Sequence, residues 1–354
     1  MTDDTIRRRR STPTSSEVAE RAGVSRTTVS FVLNDVRSMN ISEATRQKVL
    51  QAAAELGYEP NAAARSLAGG GTGTIAVLIP RSDHLHVDSF LPRLLSAVND
   101  RCHRYGYKVL LEAADDLGKA PGAFVNLVRS KRVDGLVIAN MRSAERPFVQ
   151  QLKQQGFPVV VVGNGLEPFY GRASAADDTV TAHRLTRHLI EGGHRHIAHL
   201  AYASADYENV AQRLAGYRRA LQEAGIAPDP ALLAHADISA HSGYLAMQRL
   251  LERQVGFTAL FAGNDTVAFG AMRALVEAGR RIPEDVAVVG YDDIPLAPFA
   301  CPPLTTMRVD PLTQGQEAVD ILRAQLGGEP YQRSEAAYET EFILRESCGA
   351  VKRG

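Results

Sequence analysis

Cysteine is scarce in this chain: Cys102, Cys301 and Cys348 are its only three, far apart and without paired spacing. That distribution indicates neither a disulfide framework nor a zinc site, and the three are expected to be reduced, structural thiols. No uninterrupted apolar run approaches the roughly 20 residues that a membrane helix needs, so no transmembrane segment is expected. Arg7–Arg10 is followed by STPTSS instead of an apolar stretch, which argues against a secretory signal and for a cytoplasmic protein. Net charge is also missing, because 40 basic and 40 acidic side chains cancel. In residues 1–70 basic groups slightly outnumber acidic ones. Arg7–Arg10 is given only a minor role in that bias, since a short charge run is more often simply solvated. What remains is a globular composition, 45% apolar and 23% charged, in 354 residues, a length that allows about two to three domains.

The stretch Ser16–Leu33 reads SEVAERAGVSRTTVSFVL, two short helical patterns joined at a glycine. Val18, Ala19 and Ala22 share one face of the first. Gly23 suits a left-handed reversal, Val24 can pin the turn into a core, and Ser25 is a good N-cap for the second helix. There Val29, Val32 and Leu33 form the apolar stripe, leaving Arg26, Thr27, Ser30 and Phe31 facing outward. This is a helix-turn-helix layout, whose second helix would meet base edges. A loop over Asn34–Asn40 leads to a third helix opened by Ser42 and closed by Gly57, with Val49, Leu50, Ala53 and Leu56 expected on its buried face. Together these make an all-α headpiece over residues 14–60. Pro60-Asn61 and the brief helix-favouring AAARSLA then run into a Gly-rich linker, so residues 61–73 mark the domain boundary.

From residue 74 the texture changes. TIAVLI, YKVLLEA, DGLVIA, PVVVVG, HIAHLA, TALFAG and DVAVVG are apolar, β-branched runs separated by helix-like stretches. Near-continuous apolar strands alternating with helices imply parallel sheets covered on both faces. The first four and last three strands group into two α/β lobes over residues 74–345, with a cleft between them. Ligands of such sheets bind beyond the carboxyl ends of the strands, so the loops after Ile79, Ala139, Val162, Ala201, Ala262 and Gly290 form the candidate site.

An α/β enzyme or nucleotide binder would need a phosphate loop, but GGGTGT precedes a strand instead of following one, and neither G-x-x-x-x-G-K-[ST] nor G-x-S-x-G occurs. His194, His196 and His199 invite a metal reading, yet no acidic partner has ligand spacing. No catalytic residue, metal or cofactor is therefore expected. A solute-binding protein of a transport system would share the core, but would need an export signal and no headpiece.

Several of these segments carry a resemblance: VAERAGVSRTTVSFVLN at 18–34, SEATRQKVLQAAAELGYEPNAAARSLA at 42–68, GNDTVAFGAMRAL at 263–275, and VAVVGYDDIPLA with PPLTTMRVD within 286–310. The chain resembles the lactose-repressor (LacI/GalR) family of bacterial transcription regulators over nearly its whole length. The resemblance implies a core like that of periplasmic sugar-binding proteins (type I), two doubly wound parallel-sheet lobes. It also implies a homodimer on a pseudo-palindromic double-stranded DNA operator, switched by a small effector. The C-terminus shows no leucine heptads, which favours a dimer over a coiled-coil tetramer.

By the same resemblance Arg26, Thr27 and Phe31 fall on base-reading positions. An arginine there can donate twice to guanine O6 and N7. Phe31 departs from the arginine of many relatives, implying an apolar contact such as a thymine methyl. The bland alternatives are a phosphate contact for Arg26 and headpiece packing for Phe31. Asn61–Leu67 matches the hinge helix, too short to be stable alone in water. Asn61, Ala64 and Leu67 are assigned to the minor groove, Leu67 as the wedge between base steps, although a buried linker residue is its plain alternative. In the cleft, Arg213, Asn264 and Asp292 fall on effector positions; their donors and acceptors suit the hydroxyls of a sugar. On residues alone, capping of nearby backbone is the stronger reading of Asn264 and Asp292, and the resemblance tips the balance to the effector. Ile238 stands where relatives often place an aromatic ring, and Gly163, beside Asn164, replaces a common aspartate. The loop Arg81–Asp88 is expected on the opposite wall, with Asp83 and His84 as contacts. The direction of the ligand's effect on DNA affinity is open, since both signs occur in the family.

Overall fold

The computed structural model describes residues 13–33, 39–58, 71–114, 120–162, 178–328, 331 and 340–350. Arg7–Arg10, the hinge with Asn61, Ala64 and Leu67, and Gly163–Asn164 lie outside the described residues. The chain divides into two compact units, 1–72 and 73–354.

In the first unit a capping box opens α1 (Ser15–Ala22): the Thr14 side chain accepts from the Glu17 N–H while Glu17 reaches back to the Thr14 N–H (2.6 Å). Gly23 ends it at φ 66°, and the Val24 N–H returns to the Ala19 carbonyl. Ser25 Oγ then accepts from the Thr28 N–H (3.1 Å) and starts α2 (Arg26–Leu33). Ser42 and Gly57 bound α3 (Glu43–Leu56). Val18, Ala19, Val29, Val32, Val49, Ala52 and Ala53 form the core. Leu50 corrects the expected face of α3, for it is 44% exposed and Ala52 is buried in its place. Residues 49, 52, 53 and 56 follow the i, i+3, i+4, i+7 stripe, and position 50 lies about 100° further round than so small a bundle covers.

The second unit begins with a parallel sheet in the order β2-β1-β3-β4: β1 Thr74–Ile79, β2 Lys108–Ala113, β3 Gly135–Ala139 and β4 Val159–Val162. Strand alternation divides the packing between the two faces. Ile75, Val77 and Ile79 meet α5 (Phe90–Arg104), which follows the short α4 (His84–Val87). Ala76 and Leu78 meet α6 (Val125–Arg129) and α7 (Arg146–Gln154). Four parallel strands form the second lobe, in the order β6-β5-β7-β8: β5 Ile197–Ala201, β6 Leu233–His235, β7 Ala259–Ala262 and β8 Ala287–Val289. The pairs α8 (Asp178–Glu191) with α9 (Glu208–Glu223), and α10 (Ala240–Glu252) with α11 (Asp265–Glu277), cover its faces. The second pair approaches so closely at Gly270 that a Cβ there would lie 1.8 Å from the Ala240 carbonyl oxygen.

Seven strands are expected from the apolar runs; β6, only three residues long, completes a second four-stranded sheet. A further antiparallel pair joins β9 (Thr306–Arg308) to β10 (Glu341–Ile343). The chain also crosses back: α12 (Pro311–Gly327) packs Ala318, Val319, Ile321 and Leu322 into the core of the first lobe. Cys102 and Cys348 are buried, whereas Cys301 is exposed, which corrects its reading as a structural thiol. Among the described residues no helix is long and apolar enough to cross a membrane.

Candidate functional site

Each unit presents one candidate surface. In the headpiece the turn at Gly23 and the Ser25 cap set the start of α2, and Arg26 and Thr27 stand exposed on its first turn. Phe31 is half-buried and does not belong to the core cluster. Val29 and Val32 anchor the opposite side of the helix. A cation, a hydroxyl and an aromatic edge thus project from one short helix, a chemistry that suits base edges in the major groove.

The second unit holds a cleft of about 570 Å³, including its part open to solvent, between the carboxyl ends of both sheets. Arg213, on α9, is its organising cation. Nη1 donates to the Gly263 carbonyl (2.5 Å), Nε lies 3.5 Å from Asp178, and Nη2 lies 3.7 Å from Asp292. Its Cζ sits 3.5 Å from the Tyr291 ring centroid and 4.7 Å from that of Tyr202. Burial opposes the arginine's charge, but Asp178, Tyr202, Tyr291 and Asp292 outweigh it and hold its pKa above the ordinary value. The Tyr291 hydroxyl donates to Asp178 Oδ1 (2.5 Å), fixing the carboxylate under the guanidinium.

Asp292 occupies φ 111°, a conformation that side chains rarely adopt, and its N–H is tied to the Met307 carbonyl (2.8 Å). Burial drives its carboxyl well above the usual carboxylate range, against the pull of Arg213. Asp265 braces this loop from below: its Oδ2 accepts from the Ile294 N–H (2.9 Å) and its Oδ1 from the Thr306 hydroxyl (2.6 Å). Asn264 caps α11 through the Val267 N–H (2.8 Å) and also lines the cleft, so capping and lining coexist in one side chain. Ile238 lines the cleft too, at φ 61°, with its N–H bonded to the Tyr202 carbonyl (2.6 Å).

Asp83 and His84 require correction, because neither lines the cleft. Asp83 is exposed and ion-paired to Arg81, which reaches across to Asp237 of the second lobe (2.9 Å). His84 is 3% exposed, 3.9 Å from Asp237, and burial lowers its pKa. Arg81 captures the acidic end of the loop, turning it into a contact between lobes. Asp88, the last residue of that loop, does line the cleft; its carboxylate accepts from the Phe90 and Leu91 N–H groups (both 3.1 Å). On the other side of the cleft the lobes meet through Arg146–Glu208 (2.7 Å) and through Asn209 Nδ2 donating to Asn140 Oδ1 (2.9 Å). His194, His196 and His199 do not converge: His194 bonds Thr258, His196 is exposed, and His199 is buried against the Phe261 carbonyl. Among the described residues no group of three potential ligands could hold a metal.

Sequence reasoning missed Phe90, Asn140, Asp178, Tyr202, Asn209, Val309 and Gln314 in the lining. Three had a signal. Asn140 and Tyr202 directly follow the ends of β3 and β5, and Asn209 lies four residues before Arg213 on one helix face.

Comparison with known proteins places both units in one family. The description "Bacterial regulatory proteins, lacI family" matches residues 14–61, and "Periplasmic binding protein-like domain" matches residues 186–348. The transcriptional regulator CelR of Thermobifida fusca is 36% identical over 342 residues, 96% of this chain and 99% of that protein. The transcriptional repressor PurR of Vibrio atlanticus (strain LGP32) is 33% identical over 334 residues, 94% and 98% of the two chains. The chain belongs to the LacI family of bacterial regulatory proteins. Among solved structures, the lac repressor dimer bound to operator and the anti-inducer ONPF is similar at a TM-score of 0.76, with 28% identity and 95% and 99% coverage of the two chains. The CelR–cellobiose complex is similar at a TM-score of 0.67, with 33% identity and the same coverage. As a LacI-family member the chain is a transcription regulator with a helix-turn-helix headpiece and a periplasmic-binding-protein-like α/β core.

Proposed function

We propose that this regulator binds a pseudo-palindromic operator as a homodimer and that a sugar in the core cleft changes its DNA affinity, most simply as a repressor. Arg213 carries the effector half of the reading: a cation held between two carboxylates and two aromatic rings, at the ends of strands from both lobes, offers fixed donors and acceptors to neighbouring hydroxyls. CelR is seen with cellobiose and the lac repressor with operator DNA, which supports both halves. The domain assignment is a headpiece at 14–60, a hinge at 61–73 and a core at 74–345. Arg26, Thr27 and Phe31 read bases, while Asn61, Ala64 and Leu67 engage the minor groove. A second copy is supported by Phe299 and Leu296, large apolar side chains 82% and 60% exposed beside the core of α10 and α11. The protein works without catalysis, in the cytoplasm where its DNA lies.

The test is affinity selection of sheared DNA from the source organism on the purified full chain, with and without a sugar mixture. A two-fold symmetric site that is lost or gained with sugar is the expected result. Absence of enrichment in every condition overturns the operator reading, and a site indifferent to every sugar overturns the effector reading.

A further inference from the structure

Charge that cancels over the whole chain does not cancel at one edge of the first lobe. Gly73 leads into β1 there. Its carbonyl accepts from the Lys108 N–H (2.8 Å) at the start of β2, and its N–H donates to Asp134 Oδ2 (2.7 Å) just before β3. These bonds gather the amino ends of three neighbouring strands. Among the described residues six exposed cations stand around them. Arg104 ends α5, Lys108 opens β2, Arg129 ends α6, Lys131 and Arg132 form the turn into β3, and Arg323 of α12 lies over the Tyr105 ring (4.5 Å). None of the six is in a salt bridge with a described residue. Two acids beside them are already engaged, Asp134 by the Gly73 N–H and Asp320 by Arg101 and the Tyr105 hydroxyl (both 2.7 Å).

Basic side chains favour helix C-termini, which accounts for Arg104 and Arg129. Lys108, Lys131 and Arg132 lie beyond the helix ends and need another reason. The amino edge of the second lobe has no such excess: Arg195, Arg280 and Arg281 are matched in number by Asp229, Glu284 and Asp285, and Arg281 pairs with Asp285 (2.6 Å).

We infer that this edge of the first lobe is a second DNA-contacting surface, one that docks on phosphates and reads no base. The inference rests on the reading of the headpiece as the unit that engages DNA. Residues 59–72 tether the edge to that headpiece and span at most about 50 Å when fully extended. Unpaired cations on turns and strand starts complement a polyanion with one charge per about 1.7 Å of its axis. Long flexible side chains can follow such a backbone without the fixed geometry that base reading needs. Each phosphate neutralised adds about 0.9 to the slope of log affinity on log salt, which is about 8-fold in affinity at 0.1 M salt.

The test is binding of the full chain to a duplex of arbitrary sequence, about 40 base pairs long, followed by fluorescence anisotropy across a range of salt. Lys108→Gln with Lys131→Gln and Arg132→Gln removes three exposed charges and no core contact. Arg195→Gln with Arg218→Gln and Arg280→Gln removes three exposed arginines of the second lobe and controls for net charge. The first variant is expected to show a slope shallower by at least about 0.9 and an affinity at least about 8-fold lower at 0.1 M salt, with the control unchanged. An unchanged slope in the first variant, or an equal loss in the control, overturns the proposal, and a parent chain that does not bind the duplex overturns it together with the DNA reading. Because the probe needs no operator, the two readings fail separately: a slope that falls as expected, with no site enriched from sheared DNA, keeps this surface and removes the operator.

Discussion

Asp265→Asn should change how stability depends on pH. The carboxyl of Asp265 is completely buried below the loop that carries Asp292, and burial pushes it up to about 7, opposed by its bonds from Thr306 and Ile294. An acid whose native value lies above its unfolded one, 3.8, holds in the folded state a proton that it loses on unfolding. Its contribution is fully present below pH 3.8, falls as pH rises, and is gone above about pH 7. At about 1.4 kcal/mol per pH unit, that interval amounts to about 4 kcal/mol. Asparagine is neutral throughout and has one acceptor where aspartate has two, so a constant cost of about 1–3 kcal/mol is expected for the bond it cannot accept. The variant's stability minus that of the parent should therefore climb by about 4 kcal/mol between pH 4 and pH 7, then level off. Urea unfolding of the core can be followed by near-ultraviolet circular dichroism of the buried Tyr202, Tyr217 and Tyr291. Parallel stability curves for the two proteins across that range would refute the reasoning, because Asp265 would then titrate alike folded and unfolded.

His199 should act with the opposite sign. Burial lowers it from 6.5 to about 4, so its contribution is present above pH 6.5 and is lost as pH falls towards 4, about 3 kcal/mol in all. His199→Leu should flatten that part of the parent's curve, measured by the same unfolding. Arg26→Ala should weaken operator binding by about 1–3 kcal/mol and relax one base position in a DNA selection; a uniform loss on all DNAs would mark a phosphate contact instead. Phe299→Glu should shift the sedimentation of the protein towards the monomer, and an unchanged dimer would move the interface elsewhere. Asp292→Asn should weaken sugar binding at least about ten-fold in calorimetry while operator binding without sugar survives; equal loss of both would indicate a folding defect.

The readable parts of this chain are those whose signals are local. Gly23, Ser25, Ser42 and Gly57 bound helices through contacts within about five residues, so turn and cap chemistry sufficed to place them. The seven long apolar runs are strands, six of them because parallel sheets bury both faces, while β2 is a partly exposed edge strand. Where a decision depended on what packs from far away, local signals ran short. Leu50 looks as apolar as Val49, and only the small width of the bundle turns it outward. β6 reads Leu-Ala-His and lacks the β-branched run that marks the equally short β8, and α12 joins the first lobe through partners some 220 residues earlier in the chain, as its Asp320 pairing with Arg101 illustrates.

The cleft divides along the same line. Asn264, Asp292 and Ile238 sit one or a few residues beyond strand ends, where open parallel sheets place ligand contacts, and each lines the cleft. Asp83 and His84 also follow a strand, β1, yet face elsewhere. The difference lies in competition for their polar groups. Arg81 takes both Asp83 and, across the cleft, Asp237, and a loop whose carboxylates are already matched has no electrostatic reason to face the ligand. Asp88 keeps its place in the lining because its competitor is backbone: two N–H groups at the start of α5 fix its direction. A strand-end position therefore locates candidates for a site of this kind, and the nearest oppositely charged side chain decides which of them are left to face it.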